Sequence, residues 1–211
     1  MLVSLILWHC SDSPSVPSGP AETITVAAYA GDTGMLVYLA EALGHYRQNN
    51  LNVIIKDYES GKQATDAMLA GQADISTATD FVFVSNGFDH ADLRTIGTIA
   101  MADVNELIAR KDRGISTPKD LKGKTIGITK KSVGEFMLGR FLLFNDLLME
   151  DVRIVDLTPG ELIGSITSGQ IDAALTWDPN IYTIKNSLGK NAVNWGAQSG
   201  QDFNFILITR E

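Results

Sequence analysis

The sequence predicts an α/β protein made of two similar parallel-sheet lobes joined by a hinge. Two observations lead there. Leu69–Asp80 reads LAGQADISTATD and Thr167–Asp178 reads TSGQIDAALTWD, so Gly-Gln-x-Asp and a further Asp six residues on recur 98 residues later. The likeness continues upstream, Val53–Asp74 against Val152–Asp172, and downstream, Asn105–Arg110 against Asn204–Arg210, each with a one-residue slip. Within each copy, strand-like and helix-like stretches alternate, a pattern that implies parallel strands with right-handed crossovers.

Composition bounds the function. A chain of 211 residues, 45% hydrophobic and 20% charged, is long enough for one or two cores. Its formal charge of −8, without long acidic runs, argues against nucleic acid or an anionic membrane surface as a partner. A single cysteine excludes an internal disulfide and a Cys-based metal cluster, and His9, His45 and His90 fall at no ligand spacing. No metal and no cofactor are expected. Nothing from Thr23 to Glu211 approaches the roughly 20 apolar residues of a spanning helix.

At the amino end, the apolar run Met1–Trp8 leads to His9-Cys10 and then to the Ser/Pro/Gly-rich stretch SDSPSVPSGPAET. This resembles a bacterial lipoprotein signal, with Cys10 as the lipidated residue and Ser11–Glu22 as a flexible tether. The basic start of such signals is missing, and His9 stands where a small residue is usual; the other readings are a truncated or wrongly chosen start, or an ordinary buried cysteine.

Ile24–Tyr29 is rich in β-branched and small apolar residues and predicts a buried strand. Gly31-Asp32-Thr33-Gly34 breaks it. Leu36, Leu39/Ala40, Leu43 and Tyr46 then recur at helical spacing. Asn52–Tyr58 predicts a second strand, Gly61–Ala70 a helix, Ala73–Thr77 a third strand and Phe81–Asn86 a helix; Leu93–Ala100 and Asn105–Arg110 return to strand composition. The second unit repeats this order. It runs through a strand at Lys124–Thr129, a helix at Val133–Leu148 with Phe136, Arg140/Phe141, Phe144 and Leu147/Leu148 in register, and a strand at Val152–Leu157. A helix at Pro159–Ser168, a strand at Ile171–Thr176 and a helix at Pro179–Leu188 complete it. Because Asn105–Arg110 and Asn204–Arg210 each end a repeat, each is expected to cross into the other lobe's sheet. Residues 1–22 form leader and tether, 23–103 with a return strand at 205–211 the first lobe, and 104–204 the second.

Three stretches in order, Ile115–Gly127 (ISTPKDLKGKTIG), the Gly-Gln-x-Asp pair and Trp177-Asp178-Pro179, make the chain resemble the solute-binding proteins of ABC importers for nitrate, sulfonates and taurine. That resemblance covers Ile24 to about Glu211. It implies the bilobal type II periplasmic binding fold, a small-molecule ligand, an ABC permease as partner, a monomer, and a periplasmic or cell-surface location. Members of that family typically continue for roughly 80 to 100 further residues beyond the point where this chain stops.

Elementary physics locates the site. In open parallel sheets, ligands sit beyond the carboxyl ends of strands, where loops enter helices. Four such loops qualify: Gly31–Gly34, Thr77–Asp80, Thr129–Val133 and Thr176–Asp178. Helix starts offer unpaired N–H groups and a positive dipole end, which favours an anion. The candidate ligand residues are therefore Gly31, Asp32, Thr33, Gly34, Thr79, Asp80, Ser132 and Val133, with hydroxyls from Thr33, Thr79 and Ser132. Trp177 is a flat wall or core filler. Asp178 is an N-cap ahead of Pro179 or, if free, a partner for an amine. Lys130 is an anion partner or solvated surface. Each small polar residue here could equally cap its helix.

Other motifs fail. Ser60-Gly61-Lys62-Gln63 lacks the first Gly and the final Ser/Thr of a phosphate loop, Gly31-Asp32-Thr33-Gly34 has no counterpart in the second half, and no Ser-His-Asp or Cys-His set assembles. The expected function is non-catalytic capture of a small organic anion or zwitterion. Two alternatives are an input domain of a signalling protein and an enzyme of thiamine-pyrimidine or menaquinone-precursor synthesis on the same fold.

Overall fold

A run of β-branched and small apolar residues forms β1 (Glu22–Tyr29), which pairs in parallel along its length with β2 (Leu51–Tyr58) and, at Val26 and Ala27, with β3 (Ile75–Thr79). The computed structural model describes residues 19–211, so Cys10 and its lipidation lie outside the described residues. Between these strands run α1 (Met35–Ala42), α2 (His45–Gln48) and α3 (Gly61–Leu69); α4 (Asp80–Gly87) follows β3 and β4 (Leu93–Ala102) closes the unit. The second unit contains β5 (Glu106–Arg110), β6 (Thr125–Ile128), α5 (Val133–Phe144), β7 (Arg153–Asp156), α6 (Pro159–Ser168), β8 (Ala173–Thr176), α7 (Asn180–Leu188) and β9 (Ala192–Gly196). Last comes β10 (Phe203–Arg210).

Two five-stranded sheets result, in the orders β2-β1-β3-β10-β4 and β7-β6-β8-β5-β9. The orders correspond strand for strand, with β10 and β5 in equivalent places. β10 follows the second unit yet inserts antiparallel between β3 and β4, while β5 follows the first unit and inserts antiparallel between β8 and β9. Each sheet thus has four strands in one direction and one against them. A sheet of parallel strands alone is therefore corrected to a mixed one, because a strand arriving from the other lobe enters from the opposite end. Two connections, residues 103–105 and 197–202, join the sheets.

The duplicated motif is a structural device. Gly71 and Gly169 stand at φ +73° and +81°, left-handed values that let the chain leave α3 and α6. Each motif Asp then clamps a neighbouring strand. The Asp74 N–H donates to the Thr25 carbonyl at 2.9 Å and its carboxylate accepts the Thr25 N–H at 2.7 Å; Asp172 treats Thr125 alike at 2.8 and 2.9 Å. Asp172→Ala is expected to cost about 1–3 kcal/mol in chemical denaturation and to leave solute affinity unchanged. A loss below about 0.5 kcal/mol would show the clamp idle. Thr117-Pro118-x-Asp120 is likewise a turn cap: the N–H groups of Ser116 and Thr117 donate to the Asp120 carboxylate at 3.0 and 2.8 Å and hold it below the usual carboxylate range.

Two helical registers differ from expectation. Leu36, Leu39 and Leu43 are 51%, 46% and 55% exposed, while Val37 is the buried residue of α1, and the helix ends at Ala42, with Gly44 at φ +73° separating it from α2. In α5 the buried side is Met137, Leu138, Phe141 and Leu142; Phe136 and Phe144 are exposed, and the helix ends by Asn145 rather than at Leu148. Arg140 lies over both of those phenylalanine rings, at 5.8 and 5.0 Å from their centroids.

Candidate functional site

Strand β1 delivers Tyr29 to the space between the sheets. There its backbone N–H donates to Thr77 Oγ1 at 2.9 Å, and its ring stands edge-on to Trp177, centroids 6.4 Å apart, and to Phe205 at 5.8 Å. Trp177 follows β8, so this contact joins the two lobes. A second aromatic pair, Phe81 of α4 against Phe136 of α5, stacks across the cleft at 5.6 Å. Burial, with the charge of Asp32 behind it, pushes the Tyr29 hydroxyl up to about 12, so it stays protonated at any ordinary pH.

Between these contacts lies a small pocket, open on one side, of about 30 Å³, room for a water or two with the lobes this close together. Six of the residues named from sequence line it: Asp32, Thr33, Thr79, Ser132, Val133 and Trp177. Asp32, Thr33, Ser132 and Trp177 come from the loops after β1, β6 and β8, Thr79 ends β3 and Val133 opens α5, so both sheets contribute the carboxyl ends of their strands.

Gly31, Gly34, Asp80, Lys130 and Asp178 stand outside that lining. Gly31 and Gly34 serve Tyr29, because a Cβ on either would fall 2.1 Å from the Tyr29 ring or from its carbonyl oxygen. Asp80 holds its own helix start, accepting the Phe81 N–H at 2.9 Å, and grips β10 by accepting the Asn204 backbone and side-chain N–H groups at 3.0 and 3.1 Å. Lys130 is exposed, with its N–H on Asp156. Asp178 is exposed and accepts the Tyr182 N–H at 3.2 Å, while the N-cap position itself falls on Pro179.

Ser132 lines the pocket with its hydroxyl already engaged. Its Oγ donates to the Thr129 carbonyl at 2.7 Å and accepts the Gly134 N–H at 3.1 Å, so it caps α5. The donors that this turn can offer are backbone amides at the helix start, such as Val133. Trp177 is 9% exposed and belongs to the main core cluster while also lining the pocket, so the wall and the filler are the same ring.

Several lining residues escaped sequence reasoning: Tyr29, Ser60, Gly61, Lys62, Val82, Val104, Asn105, Phe203 and Phe205. Ser60–Lys62 could have been found, since they follow β2 as the other loops follow their strands. Ser60 caps α3, accepting the Gln63 N–H at 3.2 Å, and Lys62 pairs with Asp66. Asn105 sits in the connection between the lobes, where strand logic gives no signal.

A family model described as NMT1/THI5 like matches residues 33–209. The chain belongs to the NMT1/THI5-like family. Among relatives, a binding protein of Brucella abortus (strain 2308) is 26% identical over 185 residues, covering 88% of this chain and 56% of that protein. A protein of Escherichia coli (strain K12) that carries the name of an aliphatic sulfonates-binding protein is 24% identical over 190 residues, covering 90% and 60%. The chain therefore spans less than two thirds of the length of these curated relatives. In fold, this NMT1/THI5-like chain is similar to the alkanesulfonate-binding protein SsuA from Xanthomonas axonopodis pv. citri bound to MOPS. The TM-score is 0.77 at 20% identity, covering 92% of this chain and 67% of that one.

Proposed function

We propose that this chain captures a small organic anion or zwitterion, sulfonate-like in its charged end, between its two lobes. It would act outside the cytoplasm as the solute-binding component of an ABC importer. The observation that carries this is the pocket itself, lined by strand ends and helix starts of both sheets, so that a solute inside would touch both lobes at once. A ligand held that way binds the closed arrangement better than an open one and shifts the balance toward closure. Membership of the NMT1/THI5-like family and the sulfonate names of two relatives support the solute class. Closure then presents one face to a permease, with the protein as a monomer. The apolar start and Cys10 support a lipid anchor.

Calorimetric titration with ethanesulfonate, 2-aminoethanesulfonate, nitrate and a thiamine pyrimidine tests this reading. Saturable binding of a sulfonate, with heat at one site per chain, is expected. Tight binding of the pyrimidine alone would replace sulfonate capture with the thiamine-pyrimidine reading. Thr79→Val sharpens the test, because Thr79 Oγ1 is buried in the pocket lining without a hydrogen-bond partner. The isosteric methyl is expected to leave stability equal or higher and to weaken sulfonate binding roughly 5-fold or more. Unchanged affinity would remove Thr79 from the site.

A further inference from the structure

The connection between the lobes contains an amide whose orientation can be read from its neighbours. Gln198, fully buried, uses Oε1 to accept three N–H groups: those of the Val104 and Asn105 backbones at 2.7 and 2.9 Å and the Asn105 side chain at 2.8 Å. Its Nε2 donates to the Ala102 and Gln201 carbonyls at 3.0 and 2.8 Å. Turning this amide over would set its NH2 against two backbone donors and its oxygen against two carbonyls, so only one orientation fits.

That orientation fixes Asn105 in turn. Its Nδ2 must face Gln198 Oε1, because a carbonyl oxygen there would meet another acceptor. Asn105 Oδ1 is left on the other side. Asn105 is 1% exposed, it lines the pocket, and its Oδ1 has no hydrogen-bond partner. A buried acceptor without a donor is costly, and its cost is relieved only by something that brings an N–H or O–H. Asp32, also in the lining, adds negative charge on the Tyr29 side.

We propose that Asn105 Oδ1 is a specificity-determining contact, and that the pocket takes solutes which carry a hydrogen-bond donor, an ammonium or a hydroxyl, close to their anionic group. This deepens the capture function proposed above and rests on it. Nitrate and simple alkanesulfonates have acceptors only, and an oxygen turned toward Asn105 Oδ1 would repel. A zwitterion or a hydroxylated anion satisfies both ends of the site: backbone amides for its oxygens, Asn105 for its donor.

The test uses three probes of matched length on the full chain: ethanesulfonate, 2-hydroxyethanesulfonate and 2-aminoethanesulfonate, titrated by calorimetry. The hydroxyl and amine forms are expected to bind about 10-fold or more tighter than ethanesulfonate. In Asn105→Ala that ratio should collapse to within about 3-fold, whereas damage confined to the hinge would lower all three affinities together and preserve the ratio. The wild-type series decides even if the variant folds poorly. Ethanesulfonate binding within about 3-fold of 2-aminoethanesulfonate overturns the donor requirement while leaving sulfonate capture standing. A ratio that persists in Asn105→Ala removes Asn105 as its source. Binding of none of the three overturns sulfonate capture and the donor requirement with it.

Discussion

Gln198→Leu is expected to destabilise the protein by about 3 kcal/mol or more. The side chain has five hydrogen bonds, and leucine replaces none of them. Val104, Ala102 and Gln201 are partly or fully exposed, so their groups can turn to water. The Asn105 backbone and side-chain N–H groups cannot, because Asn105 is buried. Two buried donors without partners cost about 1–3 kcal/mol each. That sum is a large fraction of the 5–15 kcal/mol that holds a typical domain together. Urea unfolding measures it. A loss under about 1 kcal/mol would mean that the connection rearranges freely and that its amide network fixes nothing.

Trp177→Ala should cost about 3–5 kcal/mol, the range for removing a large aromatic ring from a packed interior. The ring is 9% exposed and touches the edge of Tyr29 across the lobes, so its loss leaves a void where two sheets meet. At roughly 2–4 °C per kcal/mol for a chain of this size, the melting midpoint should fall by about 10 °C. Because the same ring lines the pocket, solute affinity should fall as well. A variant with lost affinity and unchanged melting would make Trp177 a wall alone; one with lost stability and intact affinity would make it core alone.

The fold was legible because the duplication is. Repeating Gly-Gln-x-Asp at a fixed offset places equivalent strands without any knowledge of packing, and the two Asp clamps show why the motif recurs: each ties a strand start to its neighbour. Helix registers were less legible. The exposed leucines of α1 and phenylalanines of α5 follow helical spacing as well as the buried residues do, and sequence alone does not say which face meets a sheet. β9, Ala192–Gly196, is short and carries Asn194 among its residues, too polar to read as a strand; it forms because β5 arrives beside it. The loops after strands were readable one by one. The amide pair of Asn105 and Gln198 was not, since its members are 93 residues apart and neither stands at a strand end facing a helix.

The strand exchange also dictates the order in which the molecule can be completed as it leaves the ribosome. Every strand of the second sheet lies between Glu106 and Gly196, so that sheet can close once those residues have emerged. The first sheet cannot. β3 and β4 are neighbours only through β10, and until Phe203–Arg210 are made, the older half of the chain presents two open strand edges. Such edges recruit other strands, and long-range pairings of this kind form slowly. The half synthesised first is therefore the half that finishes last, and it is the part of the nascent chain most in need of protection while translation runs.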